Sequence, residues 1–232
     1  ETGSAGDIPQ QQIVARIKAI EPLGEAVRLL HLQTPHNHRL RFLAGQSVTL
    51  CAGEASAQLP VASCPCDDRN LHFHVVHDPQ DAFACQVFEA LRPGDPVTVL
   101  GPWGDFVLRA DSPRPILFVA SETGFAPVKG LIEHAMSLDR AEMLHLYWHA
   151  ARPSGHYLIK LCRAWADALD NFRYTTMAGG GAEDIVARMA RDHADLDAFE
   201  VYLAGPEAFV EGAAKALAQQ GFPSAQLGIA VT

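Results

Sequence analysis

The chain has 232 residues, 48% apolar and 19% charged, enough for one large or two ordinary domains with an ample core. A formal net charge of −9 argues against nucleic acid and anionic membrane surfaces as partners. No apolar run approaches the ~20 residues that a membrane span needs. No signal peptide is apparent, and residues 1–10 read as a flexible leader on what reads as a piece of something longer. The five cysteines, Cys51, Cys64, Cys66, Cys85 and Cys162, are odd in number and irregular in spacing. They do not look like a disulfide framework and are simplest in a reducing cytoplasm. No four-cysteine run suits an iron–sulfur cluster.

From Gln12 to Val76 the signals are those of strands. Ile13, Ala15, Ile17 and Ile20 partly alternate, and 26–33, 46–51 and 71–76 are further β-rich runs. Turn material separates them: Pro35-His36-Asn37-His38, Ala52-Gly53-Glu54 and Asp67-Asp68. Short strands at near-regular intervals predict an antiparallel barrel or sandwich. Residues 81–91 switch to a helical period, with Phe83, Val87, Phe88 and Leu91 on one side, and Pro93-Gly94-Asp95 stops them. Residues 97–100 and 106–108 read as two more strands around Gly101-Pro102-Trp103-Gly104. The polar, proline-containing segment 110–115 marks a junction, giving a first domain over 11–111 and a second over 112–232.

In the second domain, strands at 116–119, 143–148, 172–176 and 200–203 alternate with helices near 126–136, 157–168, 183–191 and 207–219. That order calls for a parallel sheet with helices on both faces. Ligands of such sheets bind beyond the carboxyl ends of the strands, here 120–124, 149–152, 177–181 and 204–207. The stretch 116–133 carries the strongest local signal. An apolar strand, the turn Ser121-Glu122-Thr123-Gly124 and a helix with Pro127 in its first turn aim backbone N–H groups at an anion, usually a nucleotide pyrophosphate. Glu122 puts a carboxylate where that phosphate would sit. Gly179-Gly180-Gly181 reads as a phosphate loop or, more simply, a flexible connection.

Four stretches then carry a resemblance that runs from about Gly6 to Gly228: Phe42-Leu43-Ala44-Gly45-Gln46, residues 101–109, Thr123-Gly124-Phe125-Ala126-Pro127, and Val201-Tyr202-Leu203-Ala204-Gly205-Pro206. In these the chain resembles the ferredoxin–NADP reductase superfamily, most nearly the reductase part of CDP-6-deoxy-glucoseen reductases and the flavin reductases. The resemblance implies an N-terminal flavin-binding β-barrel followed by an NAD(P)-binding α/β domain. It implies FAD and NADH or NADPH as cofactors, and an NAD(P)H-dependent oxidoreductase that moves electrons via flavin to a separate electron-acceptor protein. The positions it assigns to cofactor binding are Val61, Ala62, Ser63, Thr123, Gly124, Phe125, Arg152, Gly205 and Pro206. It names no catalytic residue and no metal ligand.

The same resemblance exposes departures. The flavin motif Arg-x-Tyr-Ser is here Ala57-Gln58-Leu59-Pro60, losing the phosphate-pairing Arg and the ring-stacking Tyr. A Gly-x-x-Ser that serves the flavin pyrophosphate is Asp81-Ala82-Phe83-Ala84, the Gly-Thr-Gly turn is Glu122-Thr123-Gly124, and the Cys of Cys-Gly-Pro is Ala204. Losing the Arg pair alone costs about 1.5–3 kcal/mol. Flavin is therefore expected to bind weakly, with backbone N–H groups at 61–63 and 123–124 as the remaining contacts. The alternative is a degenerate reductase fold, a scaffold or subunit that performs no hydride transfer.

Other residues read as ordinary structure first. Cys64-Pro65-Cys66 is a conceivable metal or redox pair, but small buried residues and a loop thiol are the simpler reading. His72 and His74 share a strand face, His31, His36 and His38 have the same standing, and His149 and His156 read as exposed loop histidines beside Arg152.

Overall fold

Ile13, Ala15 and Ile17 are buried while Gln12, Val14, Arg16 and Lys18 are exposed. This period of two makes Gln11–Pro22 a strand with one face on a core. In the computed structural model, which describes residues 8–139 and 142–232, it is β1. It is followed by β2 (Val27–Gln33), β3 (Ser47–Ala52), β4 (Ala55–Pro60), β5 (Asn70–Val76) and β6 (Pro96–Trp103). Among the described residues these six form one antiparallel sheet in the order β4-β3-β6-β1-β2-β5. The register of β1 on β2 slips between Ile17 and Ala19. Such a bulge adds local twist, which helps a sheet curl into a half-barrel. Ile13, Leu30, Leu50, Phe73 and Val99 fill its inner face, closed by Phe83 and Val87 of the short helix α1 (Ala82–Cys85) and its wider continuation through Ala90.

The second sheet is parallel: β7 (Ile116–Ser121), β8 (Leu144–Ala150), β9 (Phe172–Ala178), β10 (Glu200–Gly205) and β11 (Leu227–Val231), in the order β11-β10-β7-β8-β9. Helices α2 (Phe125–Leu138), α3 (Ile159–Ala168), α4 (Ala182–Asp192) and α5 (Glu207–Gln219) alternate with these strands. Every residue of β8 and β10 is buried, as expected of strands covered on both faces. α4 shows why amphipathic spacing suffices for a surface helix: Ile185, Val186 and Met189 are buried, while Glu183 and Asp184 lie at its acidic first turn. The expected order, an antiparallel barrel and then a parallel α/β sheet, is the observed one.

The chain divides into two compact units, 1–108 with 129–137, and 109–128 with 138–232. The first turn of α2 thus belongs to the second unit and most of its length to the first. Of the proposed leader, residues 1–7 lie outside the described residues; Gln10 donates from Nε2 to Pro102 O at 2.7 Å. In the second unit, Arg109 and Ser112 donate to the buried Glu200 carboxylate, and Arg109 N donates to Tyr202 Oη at 2.8 Å.

Three segments differ from the sequence reading. Residues 106–108 form no strand: Phe106 is buried, and Val107 N turns back to Asp105 O at 2.9 Å. Gly45 has φ 92°, and a Cβ there would lie 1.9 Å from Phe106 O, so the two loops meet backbone to backbone where only glycine fits. β4 and β11 were not foreseen. β4 is an edge strand of Ala, Ser, Gln, Leu and Pro, mostly poor strand formers that pair with β3 because the neighbouring ladder is already set.

Candidate functional site

The carboxyl edge of the parallel sheet is built on close backbone contact. β7 ends at Ser121, Glu122 turns with φ 51°, and a 3₁₀ turn leads into α2. At Gly124 a Cβ would sit 2.2 Å from Ala204 O, and at Gly205 one would sit 2.9 Å from Ser121 Cβ. The ends of β7 and β10 therefore approach more closely than side chains permit. The 3₁₀ turn Glu122–Gly124 thus sets the start of α2 directly on the sheet edge, with its first N–H groups at the end where an anion is favoured.

Aromatic rings brace this edge. Phe125 stacks on the fully buried Trp148 with centroids 4.0 Å apart, and Trp148 Nε1 donates to Glu122 O at 3.1 Å. The Glu122 carboxylate, expected in the phosphate position, turns to accept the Ala151 N–H at 2.6 Å. Its charge stays at the edge, tied to the end of β8. Arg152 is exposed just beyond, and Pro206 leads into α5. Gly179 and Gly180 take φ 75° and 73°, and the Gly181 N–H donates to Asp184 Oδ2 at 2.8 Å, capping α4 from within.

His149 and His156 are not exposed loop residues; both are buried. His149 Nδ1 lies 2.9 Å from Ser121 Oγ and Nε2 lies 3.2 Å from Gly180 O, with its ring stacked on Phe209. His156 Nε2 lies 2.8 Å from Trp148 O. They hold strand ends together. Away from this edge, near the start of β8, a cavity of about 480 Å³ is lined by His145, Arg173, Thr175, Arg188 and Asp192. Burial and the neighbouring His193 hold His145 at about 4.

In the half-barrel unit, Ala57 and Leu59 stand on β4 and are partly buried against the core. The Val61 N–H donates to Gln46 O at 3.0 Å and the Ala62 N–H to His72 O at 2.8 Å. Ser63 Oγ donates to Asn70 O at 3.3 Å and accepts from His72 N at 3.2 Å. The expectation that the N–H groups at 61–63 stay available is thus corrected for Val61 and Ala62, whose donors satisfy neighbouring strand carbonyls. Asp81 behaves similarly. Its Oδ1 accepts from Phe83 N at 2.8 Å and Ala84 N at 3.1 Å, so this carboxylate occupies the donors that open α1.

Sequence reasoning missed Lys129. Its side chain is buried, donating to Ala62 O at 2.8 Å and pairing with Glu133 at 2.7 Å. The i,i+4 spacing of Lys129 and Glu133 was the available signal. Burial, and then Lys129, holds His72 at about 4 and His74 at about 3, so both rings are neutral near pH 7. Cys64 and Cys66, read as a small buried residue and a loop thiol, are joined in a disulfide, with Cα atoms 5.2 Å apart. Cys51, Cys85 and Cys162 are free. Among the described residues no group of three or more His, Cys, Asp or Glu side chains is placed to hold a metal ion.

A curled antiparallel sheet followed by a parallel sheet with a glycine-tight carboxyl edge defines a reductase-type fold. The comparisons support the resemblance to the ferredoxin–NADP reductase superfamily. Residues 118–215 match the family model of the oxidoreductase NAD-binding domain. The chain is 29% identical over 214 residues to a CDP-6-deoxy-L-threo-D-glycero-4-hexulose-3-dehydrase reductase of Yersinia pestis, covering 89% of this chain and 64% of that protein. It is 26% identical to an NAD(P)H-flavin reductase of Vibrio harveyi, covering 83% of this chain and 86% of the other. The fold matches that of a cytochrome P450 reductase of Amycolatopsis, with TM-score 0.86, 24% identity, and coverage of 95% of this chain and 69% of that one. The chain thus spans somewhat under two thirds of the length of the first curated relatives it matches.

Proposed function

We propose that the chain is the reductase part of an NAD(P)H-dependent oxidoreductase, passing electrons via a weakly held flavin to a separate acceptor protein. The observation that carries this is the glycine-tight contact between the β7–α2 turn and the end of β10, where a Cβ at Gly124 or Gly205 would collide with the facing chain. Such a backbone approach at the carboxyl edge of a parallel sheet suits a dinucleotide pyrophosphate. In this reading residues 112–232 are the NAD(P)-binding domain. Thr123 and Gly124 would face the pyrophosphate at the start of α2, Phe125 fixes the helix start against Trp148, and Gly205 and Pro206 keep the end of β10 close to that turn. The exposed guanidinium of Arg152 reaches the adenosine ribose or its phosphate.

Residues 11–111 are, in the same reading, the flavin domain, with Val61, Ala62 and Ser63 shaping the wall for the ring. The residues fit a tightly anchored FAD poorly. Ala57 and Leu59 supply neither charge nor stacking, and Asp81 already uses the N–H groups that open α1. The flavin is therefore held by shape more than by its diphosphate. A bound flavin would supply the hydride acceptance and electron release; the protein would contribute position and exclusion of water. The same three residues favour a second reading, a non-catalytic subunit with the reductase fold. Among the described residues no helix is long and apolar enough to cross a membrane, and we place the protein in the cytoplasm.

Steady-state oxidation of NADH and NADPH with ferricyanide as acceptor tests the proposal. A rate that saturates in nucleotide and rises with added FAD or FMN supports the reductase. No oxidation above the flavin-only blank, with folded protein, supports the subunit instead.

A further inference from the structure

We propose that Cys64 and Cys66 form a reversible thiol–disulfide exchange site, with Cys66 as the sulfur attacked by an incoming dithiol and Cys64 as the leaving sulfur. This site is independent of the flavin and nucleotide reading. Two sulfurs separated by Pro65 close a loop of three residues. Disulfide stabilisation grows with the length of chain it closes, so this bond adds little to the fold. Its two ends are also unlike. Cys66 is exposed, whereas Cys64 is buried. An external thiolate can therefore approach the Cys66 sulfur far more readily.

The surroundings of Cys64 suit a departing thiolate. The Cys66 N–H donates to Cys64 Sγ at 3.3 Å, and His134 Nδ1 lies 3.9 Å from the same sulfur. The neighbouring carboxylates are engaged elsewhere: Asp67 accepts twice from Asn70 Nδ2, at 3.0 and 2.9 Å, and Asp68 pairs with Arg39. A donor beside a sulfur favours its thiolate and makes it the better leaving group. The other cysteines do not share this arrangement. Burial holds the Cys162 thiol up at about 12, and Cys85 donates its S–H to the Asp78 and Pro79 carbonyls at 3.6 Å.

The exchange balances as follows. One thiolate of the incoming dithiol attacks Cys66 Sγ. A bond from reagent sulfur to Cys66 forms, the Cys64–Cys66 bond breaks, and Cys64 leaves as the thiolate. The reagent's second thiolate then attacks its own first sulfur and frees Cys66. The reagent is oxidised by two electrons to a cyclic disulfide, the protein pair is reduced by two, and the reagent's two protons finish on Cys64 and Cys66.

The test is a thiol count by mass spectrometry on the full chain, purified without reductant and alkylated with iodoacetamide after denaturation. Three alkyl groups are expected, on Cys51, Cys85 and Cys162. After brief dithiothreitol treatment of the native protein, all five cysteines should be alkylated, with an unchanged circular dichroism spectrum. Titration in mixtures of reduced and oxidised dithiothreitol should follow one two-electron curve from either direction. Cys64→Ser leaves the exposed Cys66, which should take up one glutathione from glutathione disulfide with release of one glutathione thiolate. Cys66→Ser leaves the buried Cys64, which should react at least about 10-fold more slowly. Five free thiols without reductant, opening of the pair only on unfolding, or equal glutathione uptake by the two variants would overturn the proposal.

Discussion

Glu122 is a non-glycine residue in the left-handed region, with φ 51°, and its carboxylate is fixed by the Ala151 N–H. That conformation costs roughly 1–2 kcal/mol for a side chain with a Cβ, and a charge beside a bound pyrophosphate costs on the order of 1 kcal/mol more when solvated. Glu122→Gly removes both. It should tighten NADH or NADPH binding about 5-fold, as read by calorimetric titration. His74 makes a second residue-level prediction. Burial, then Lys129, holds it at about 3, below the ordinary 6.5. The unfolded chain takes up a proton below pH 6.5 that the folded chain refuses. The corresponding stability is full above that pH and is lost as pH falls toward 3, by on the order of a few kcal/mol. Chemical denaturation between pH 7 and pH 4 should show this slope, and His74→Gln should make it shallower.

At the scale of elements, turns and caps decide what each strand end can bind. Gly124→Ala places a methyl group 2.2 Å from the Ala204 carbonyl oxygen. It should lower stability by about 1–3 kcal/mol through overpacking and abolish saturable nucleotide binding. Asp81→Ser keeps a cap on α1 while removing the negative charge. FAD affinity should then rise about 5- to 10-fold relative to riboflavin, with little change in the thermal midpoint, as followed by flavin fluorescence. The elements legible in the sequence were those with a strong period or a solid apolar run: β8, β10, α5 and the β7–turn–α2 unit. β4 was not, because Ala55–Pro60 owes its strand to the β3 ladder and not to its own propensity. Residues 106–108 misled in the other direction, since a Phe-Val-Leu run is equally apt for a loop pinned by one buried ring.

For the whole molecule, composition and element order were enough to foretell two sheets of opposite kind and the resemblance they carry. Side-chain chemistry was less legible, because it depends on which donors the fold has already used. Ala62 N–H, His149 and His156 all look available in sequence and are occupied by neighbours elsewhere in the chain, while the Asp81 carboxylate is taken by the N–H groups of Phe83 and Ala84 just after it. Lys129, left unremarked in the sequence, and the Cys64–Cys66 pair, read first as a small buried residue and a loop thiol, show the reverse, where folding assembles groups that spacing alone did not decide. In the proposed reading the nucleotide edge is intact in its backbone and the flavin wall is internally satisfied, so that flavin would bind loosely and still take a hydride from the bound nucleotide. The most direct measurement is an equilibrium titration with FAD and FMN, followed by anaerobic addition of NADH or NADPH. The account predicts saturable binding in the micromolar range or weaker, then bleaching of the visible flavin band. Folded protein that binds no flavin up to about millimolar concentration, or binds it without bleaching, would contradict it.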